Sequence, residues 1–447
     1  MKRSTTSYTY AQITKVAYPI FITLLVQNLI QVINTVFLGH VGELELGASA
    51  IAGIFYIVIF TLAFGFSTGS QILIGRRNGE QNYHQIGEIV VYGAIFLLGM
   101  ALALFLFVRT SSRWFLSPVL SSPDILEASI TYLNWRIFGI FFACINVMFR
   151  AFYVGTTSTR ILSINALLMA CTNILFDYLL IFGHGGFPQM GLAGAALASV
   201  IAEGVSVLFF ITYTCLTVDL KKYGFHALKQ NGGWRVIQGI LNVSLSLMLQ
   251  YLIQMGTWLI FFLAIEKMGE LPLAASNIVR SIYILFAVPV FALSTTTNTL
   301  ISNTIGAGNS HEVMPLIWKV VRAALCLALV FVLILILFPG AAINLYTSDP
   351  NLMAACRSSL LVIVATLPIM AFGNVIFSSI SGTGNTRTAL WIEVGVMLVY
   401  LTYIWVLVNL FQASLAACWS AETLYAGALF FFSYFYMKSG KWKNRKI

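Results

Sequence analysis

Four acidic side chains fall inside long apolar stretches of this chain: Asp177, Glu203, Glu393 and Glu422. An ionised carboxylate held away from water is expensive, so an acid in such a stretch marks a functional site by default. Asp177 is the most informative of the four, because Asn173 stands four residues before it in Asn173-Ile-Leu-Phe-Asp177. On a helix that spacing places amide and carboxylate on one face. An amide carbonyl beside a carboxylate makes an oxygen-rich pocket that suits a hard cation. A carboxyl group shielded from water also takes up and releases a proton near neutral pH. The pair therefore suits either a hard cation or a proton, and the residue types do not choose between them. Asn34 and Ser199 are expected to join the pair. Ser199 ends the small-residue run GLAGAALAS (191–199), which permits close helix approach. The structural alternative is a buried acid bonded to neighbouring amides.

Other chemistry is weaker. Gly65-Phe-Ser-Thr-Gly69 matches GxSxG, but a nucleophile elbow needs a strand before it, a helix after it and a usable histidine. All five histidines (His40, His84, His184, His226, His311) fall in expected loops or helix ends. Gly382-Thr-Gly384 lacks the third glycine of a dinucleotide fingerprint, and no Walker A sequence is present. The six cysteines form no CxxC pair and no metal-ligand spacing, so they read as small apolar packing residues. No cofactor, structural metal or enzyme activity is expected.

The elements that must position these groups are membrane helices. The 447 residues are 59% hydrophobic and only 9% charged, against about 25% charged in an average soluble domain. Spanning the hydrocarbon takes roughly 20 apolar residues, and a spanning segment must satisfy its own backbone. Twelve runs qualify: 13–38, 48–74, 87–109, 128–152, 161–183, 192–217, 238–264, 273–303, 316–338, 353–378, 388–411 and 414–437. The first is too long for a signal segment and is expected to be retained. Pro19, Pro289 and Pro368 lie inside runs, where each removes a backbone donor and favours a bend.

The chain is also a repeat. Gly42–Ile51 (GELELGASAI) returns as Gly269–Ile278 (GELPLAASNI) at an offset of 227. Gly79, Asn82 and His84 return at the same offset as Gly306, Asn309 and His311, and Gly155, Thr159 and Arg160 as Gly382, Thr386 and Arg387. Six runs fall in each copy, and an even number gives both copies the same orientation. The expected fold is an all-α membrane protein of twelve transmembrane helices, in two parallel six-helix repeats related by a pseudo-twofold axis along the membrane normal. The lobes are 1–217 and 238–447, joined by a cytoplasmic linker at 218–237. With both termini inside, nineteen of the 25 Lys and Arg residues lie in cytoplasmic segments, among them a basic C-terminal tail. That distribution, together with an anionic inner leaflet, accounts for the net charge of +10 without nucleic acid. The expected location is the inner membrane, as a monomer.

The offset also tests the chemistry. Glu203 and Glu422 occupy equivalent places, 219 apart because the second copy is shorter between its fifth and sixth helices. A repeated acid at equivalent places reads as structural before it reads as catalytic. Glu393 has no acidic twin, and a solvated place near a helix end is expected for it. Ser67–Gln71 and Ser294–Asn298 are paired polar runs that either bond back to their own helices or line a wet cavity. Asn34, Asn173 and Asp177 have no polar twins of the same kind: their counterparts are Phe261, Tyr400 and Ile404. The cation is therefore expected in the N-terminal lobe, with the C-terminal lobe forming the opposing wall of a cleft.

These features resemble the multidrug and toxic compound extrusion (MATE) family over essentially the whole chain. The resemblance rests on NTVFLGHVG (34–42), IGRRNGEQN (74–82) with its twin IGAGNSHE (305–312), SGTGNTR (381–387), NILFDYLLIFG (173–183) and GLAGAALAS. It implies a secondary antiporter whose two lobes rock about a central cleft. Such a protein expels organic, often cationic or amphipathic compounds in exchange for Na⁺ or H⁺. The family's N-lobe cation site falls on Asn173, Asp177 and Ser199. Many members carry an acid where Asn34 stands, and others one near Gln254, so the coupling charge here falls to Asp177, with Glu203. Gln27, Gln254, Arg280 and Asn298 are the expected polar lining of the substrate cleft. A flippase for lipid-linked oligosaccharides or other amphiphiles of the same broad superfamily is the alternative. It would be expected to carry several cavity cations, and only Arg136 and Arg280 lie inside the runs.

Overall fold

A computed structural model describes residues 8–118, 120, 122–225 and 233–444, and every regular element among them is helical. The helices are α1 (Tyr10–Val41), α2 (Glu43–Gly79), α3 (Tyr83–Leu116), α4 (Pro123–Arg136), α5 (Gly139–Gly155), α6 (Arg160–Phe182), α7 (Gly191–Thr217) and α8 (Gly233–Glu266). They continue with α9 (Glu270–Gly306), α10 (Val313–Leu337), the short α11 (Pro339–Asn344), α12 (Pro350–Gly382), α13 (Thr386–Asn409) and α14 (Leu415–Lys438). Each apolar run expected from the sequence coincides with one helix, except 128–152. That run is divided into α4 and α5, bent by 51° at the break. Among the described residues eleven helices are long and apolar enough to cross a membrane, and the bent pair, counted as one span, brings the number to twelve. Pro19, Pro289 and Pro368 lie inside α1, α9 and α12.

The duplication fixes helix ends as well as sequence. The bounds of α2 plus 227 give those of α9, and the outer bounds of the α4–α5 pair give those of α12. The second copy is thus one continuous helix where the first is broken, a difference that bears on the site below. Large apolar side chains face outward along the spans, such as Leu208, Leu333 and Leu398, each more than half exposed. Water would oppose such surfaces and a bilayer welcomes them, so the chain is a multi-pass membrane protein.

Two compact units emerge, Ile22–Met248 and Met1–Phe21 with Leu249–Ile447. The boundaries fall inside α1 and α8, so each of these helices contributes to both units. Lys2, Arg3, His226, Lys229, Arg445 and Lys446 lie outside the described residues, as does part of the expected linker. Its described beginning docks on α3, where the Tyr223 carbonyl accepts from the Gly87 amide at 3.0 Å. The GxSxG sequence lies within α2, with no strand before it. The paired polar runs bond back along their helices: Thr68 to the Phe64 carbonyl, Thr296 to Ala292 and Thr297 to Leu293, at 2.7–2.9 Å. Both runs are buried, which favours the packing reading over a wet lining.

Candidate functional site

Asp177 and Asn173 are buried on one face of α6, at 0% and 2% exposure. Their partners come from α1 and α7. The Asn34 amide nitrogen, in the orientation that meets its surroundings, lies 2.8 Å from Asn173 Oδ1, 2.8 Å from Asp177 Oδ2 and 3.1 Å from the Ile30 carbonyl. Asn173 Nδ2 faces Ser199 Oγ at 3.4 Å. An amide nitrogen carries two hydrogens, so Asn34 cannot satisfy three acceptors at once. Asp177 Oδ1 receives no hydrogen bond from the protein although it is buried. The arrangement is thus rich in oxygen and short of hydrogens. Its chemistry calls for a small cation or a proton.

The neighbouring sequence explains why the three helices converge. A Cβ on Gly194 would lie 2.6 Å from the Leu180 carbonyl, so the small-residue run of α7 lets it press against α6. One turn from the polar residues, Leu38, Ile181 and Ala195 join Ala48 and Leu192 in an apolar cluster. Leu38 follows Asn34 by four residues, Ile181 follows Asp177 by four, and Ala195 precedes Ser199 by four. The polar site is therefore sealed at the end where α1 and α6 finish and α7 begins.

Glu203 does not join this group. Its carboxylate is engaged by Arg136, with Nη1 to Oε2 at 3.0 Å and Nη2 to Oε1 at 2.5 Å. The guanidinium also lies over the Tyr56 ring, 3.8 Å from its centroid. Arg136 is the last residue of α4, at the bend, and Gly139 just beyond it leaves room for the pair. A Cβ there would approach Glu203 Oε2 to 2.3 Å and Arg136 Nη1 to 2.4 Å. Beside it, Asn146 and Asn165 close a neutral network through Ser206. The expected assistance of Glu203 to Asp177 gives way to an ion pair, because a neighbouring cation balances its charge.

Glu393 is also placed differently from the expectation. It is fully buried rather than solvated, and its Oε1 accepts from Gln254 Nε2 and Tyr425 OH, both at 3.0 Å. Glu422 is bound by Tyr400 OH at 2.9 Å and Tyr283 OH at 3.3 Å. Among the residues expected to line a cleft, Gln27 is exposed and Gln254 is engaged by Glu393. Arg280 is half-buried with its guanidinium 4.8 Å from the Phe262 ring centroid. Asn298 is buried, with its backbone against Gly382. None of these carboxylate contacts was visible in the sequence, since the partners of Glu393 and Glu422 lie 22 to 139 residues away. The offset of 227 linking Tyr56 to Tyr283 was an available signal.

Comparison with known proteins agrees with this architecture. The MatE family model matches residues 19–179 and 246–419. A probable multidrug resistance protein NorM from Thermotoga maritima is 25% identical, covering 98% of this chain and 94% of its own. A probable multidrug resistance protein YpnP from Bacillus subtilis is 22% identical, with 98% and 96% covered. The fold is that of an outward-facing multidrug resistance MATE family transporter, with a TM-score of 0.90, 18% identity and 97% and 96% of the two chains aligned. A MOP superfamily transporter from Pyrococcus furiosus gives 0.88 at 19% identity, over 97% and 96%. Matched in both halves by the family model, this twelve-span chain belongs to the MatE family of membrane transporters.

Proposed function

We propose that the chain is a cation-coupled antiporter that exports organic, often cationic or amphipathic compounds, with Asp177 as the coupling carboxylate. The observation that carries the reading is the oxygen-rich group of Asp177, Asn173, Asn34 and Ser199, with one buried carboxylate oxygen left free of protein donors. A cation or proton entering this site balances the charge of Asp177 and supplies what Asn34 cannot. Loss of that ion leaves a buried anion facing unmatched oxygens, which is costly. Ion occupancy thereby favours one arrangement of α1, α6 and α7 over another, and alternating access follows from differential binding to the two. Because Asn34 is neutral and Glu203 is balanced by Arg136, Asp177 is the one acid of this group that needs a cation or a proton.

The lobes 1–217 and 238–447, with 218–237 between them and both termini cytoplasmic, are the bodies that move in this scheme. The names of the relatives support the substrate class, since both are described as multidrug resistance proteins. The test is transport in inverted membrane vesicles, with Na⁺ and pH gradients imposed separately across a panel of cationic dyes. Dye accumulation driven by one gradient is the expected result. Accumulation that ignores both gradients would overturn the coupling.

A further inference from the structure

The unit containing α9 and α12–α14 holds two buried acids that the Asp177 site does not use. From their surroundings we infer that Glu393 and Glu422 form a second proton-binding site, separate from Asp177. The inference goes beyond the antiporter reading and stands without it.

The repeat supplies the first argument. Tyr56 and Tyr283 are twins at offset 227, and Glu203 and Glu422 are the paired acids of the two copies. In the first copy Arg136 balances Glu203 and stacks on Tyr56. In the second copy Ile363 stands at the place of Arg136, fully buried in unbroken α12. The acid was kept and its cation was not. Two hydroxyls, Tyr400 from α13 and Tyr283 from α9, engage Glu422 instead.

The hydrogen-bond arithmetic supplies the second. Tyr283 OH lies 3.3 Å from Glu422 Oε2 and 3.1 Å from Met370 Sδ, with one hydrogen for two acceptors. When Glu422 is ionised, Tyr283 donates to it. When a proton sits on Oε2, Glu422 donates to the tyrosine oxygen and Tyr283 turns its hydrogen to the sulfur of Met370, a weak acceptor. Both charge states are satisfied with no heavy atom displaced. Glu393 is lopsided: Gln254 and Tyr425 both donate to Oε1, while buried Oε2 has no partner. A proton on Oε2 removes the charge and leaves both donors in place. The tyrosines that hold the two acids are neighbours: the Tyr425 ring packs edge-on to that of Tyr400, with centroids 6.2 Å apart.

The groups facing the acids select a proton over a metal ion. Gln254 comes from α8, Tyr283 from α9, Met370 from α12, Tyr400 from α13 and Tyr425 from α14. All but Met370 present hydrogens, whereas a hard metal ion needs several oxygen lone pairs turned toward it. Arg280 of α9, the Cys418 thiol of α14 and Tyr403 of α13 are further titratable groups close by in sequence, and Tyr403 OH is 2.9 Å from Ser420 Oγ. Arg280 lies over Phe262, and Cys418 Sγ is 3.8 Å from Met268 Sδ. Among the described residues no lysine, arginine or histidine pairs with either carboxylate, and no cluster of three His, Cys, Asp or Glu side chains is present.

The test is pH-difference infrared spectroscopy on the full-length protein reconstituted in lipid, with no transported compound. The wild type should show a protonated-carboxyl band that titrates and is insensitive to Na⁺. Glu393→Gln and Glu422→Gln should each remove a separate part of it, and Asp177→Asn should leave both parts. Tyr283→Phe and Tyr425→Phe keep the packing and should shift the band and its titration midpoint. A band unchanged in both glutamine variants overturns the inference, as does displacement of the signal by Na⁺. Absence of transport in vesicles would count against the antiporter reading and leave this result untouched.

Discussion

Replacing Arg136 with methionine isolates the energetics of the broken span. The substitution keeps an apolar stem of similar length and removes both hydrogen bonds to Glu203 and the stacking on Tyr56. Arg136 and Glu203 side chains are only 12% and 14% exposed, so water cannot replace the lost partner. Breaking a buried pair from one side costs roughly 3–5 kcal/mol, because the surviving charge stays buried and unbalanced. Replacing both partners by neutral groups is often close to neutral, so Arg136→Met combined with Glu203→Gln should recover at least about 2 kcal/mol of that loss. Equilibrium unfolding in mixed detergent micelles, followed by tryptophan fluorescence, measures all four corners of the cycle. Additive single effects would refute the reasoning, and so would an Arg136→Met variant within about 0.5 kcal/mol of wild type, the range of ordinary surface changes.

Two further outcomes follow from the Asp177 site. Asn34→Ala removes a donor to a charged group worth roughly 1.5–3 kcal/mol, so the half-saturating coupling-ion concentration should change about 10- to 100-fold. An ion titration of dye transport reads this directly, and an unchanged titration would exclude Asn34 from the site. Gly194→Val places a side chain where the Leu180 carbonyl is 2.6 Å away, so α6 and α7 must part. Overpacking of this kind costs about 1–3 kcal/mol, and both thermal stability and ion dependence should fall. Wild-type behaviour in both measurements would contradict the close approach.

The spans were legible because two signals agreed. Apolar length marked each helix, and the 227-residue offset fixed matching ends, as in α2 and α9. The bend between α4 and α5 was not legible, since its run is long enough for one span and contains no proline. The partner that Arg136 meets at the break, Glu203, lies 67 residues away. Asn173 and Asp177 could be read together because they share one helix face. Asn34 came to them by type, as a polar residue in an apolar run. Glu393 was misjudged because position along a helix says nothing about which face is covered. The face carrying Glu393 lies against Tyr425 on the next helix and Gln254, 139 residues away on α8. The substitution of Ile363 for Arg136 was present in the sequence throughout. It gains meaning only once the Arg136–Glu203 pair is seen.

The central claim is that Asp177 carries the coupling charge. It is tested most directly by purified wild type and Asp177→Asn in proteoliposomes, with one imposed ion gradient and a fluorescent cationic compound. Dye binding and thermal stability are measured on the same preparations. The account predicts gradient-driven dye movement in the wild type and none in Asp177→Asn, with binding and fold preserved. Gradient-driven movement at the wild-type rate in Asp177→Asn would contradict it.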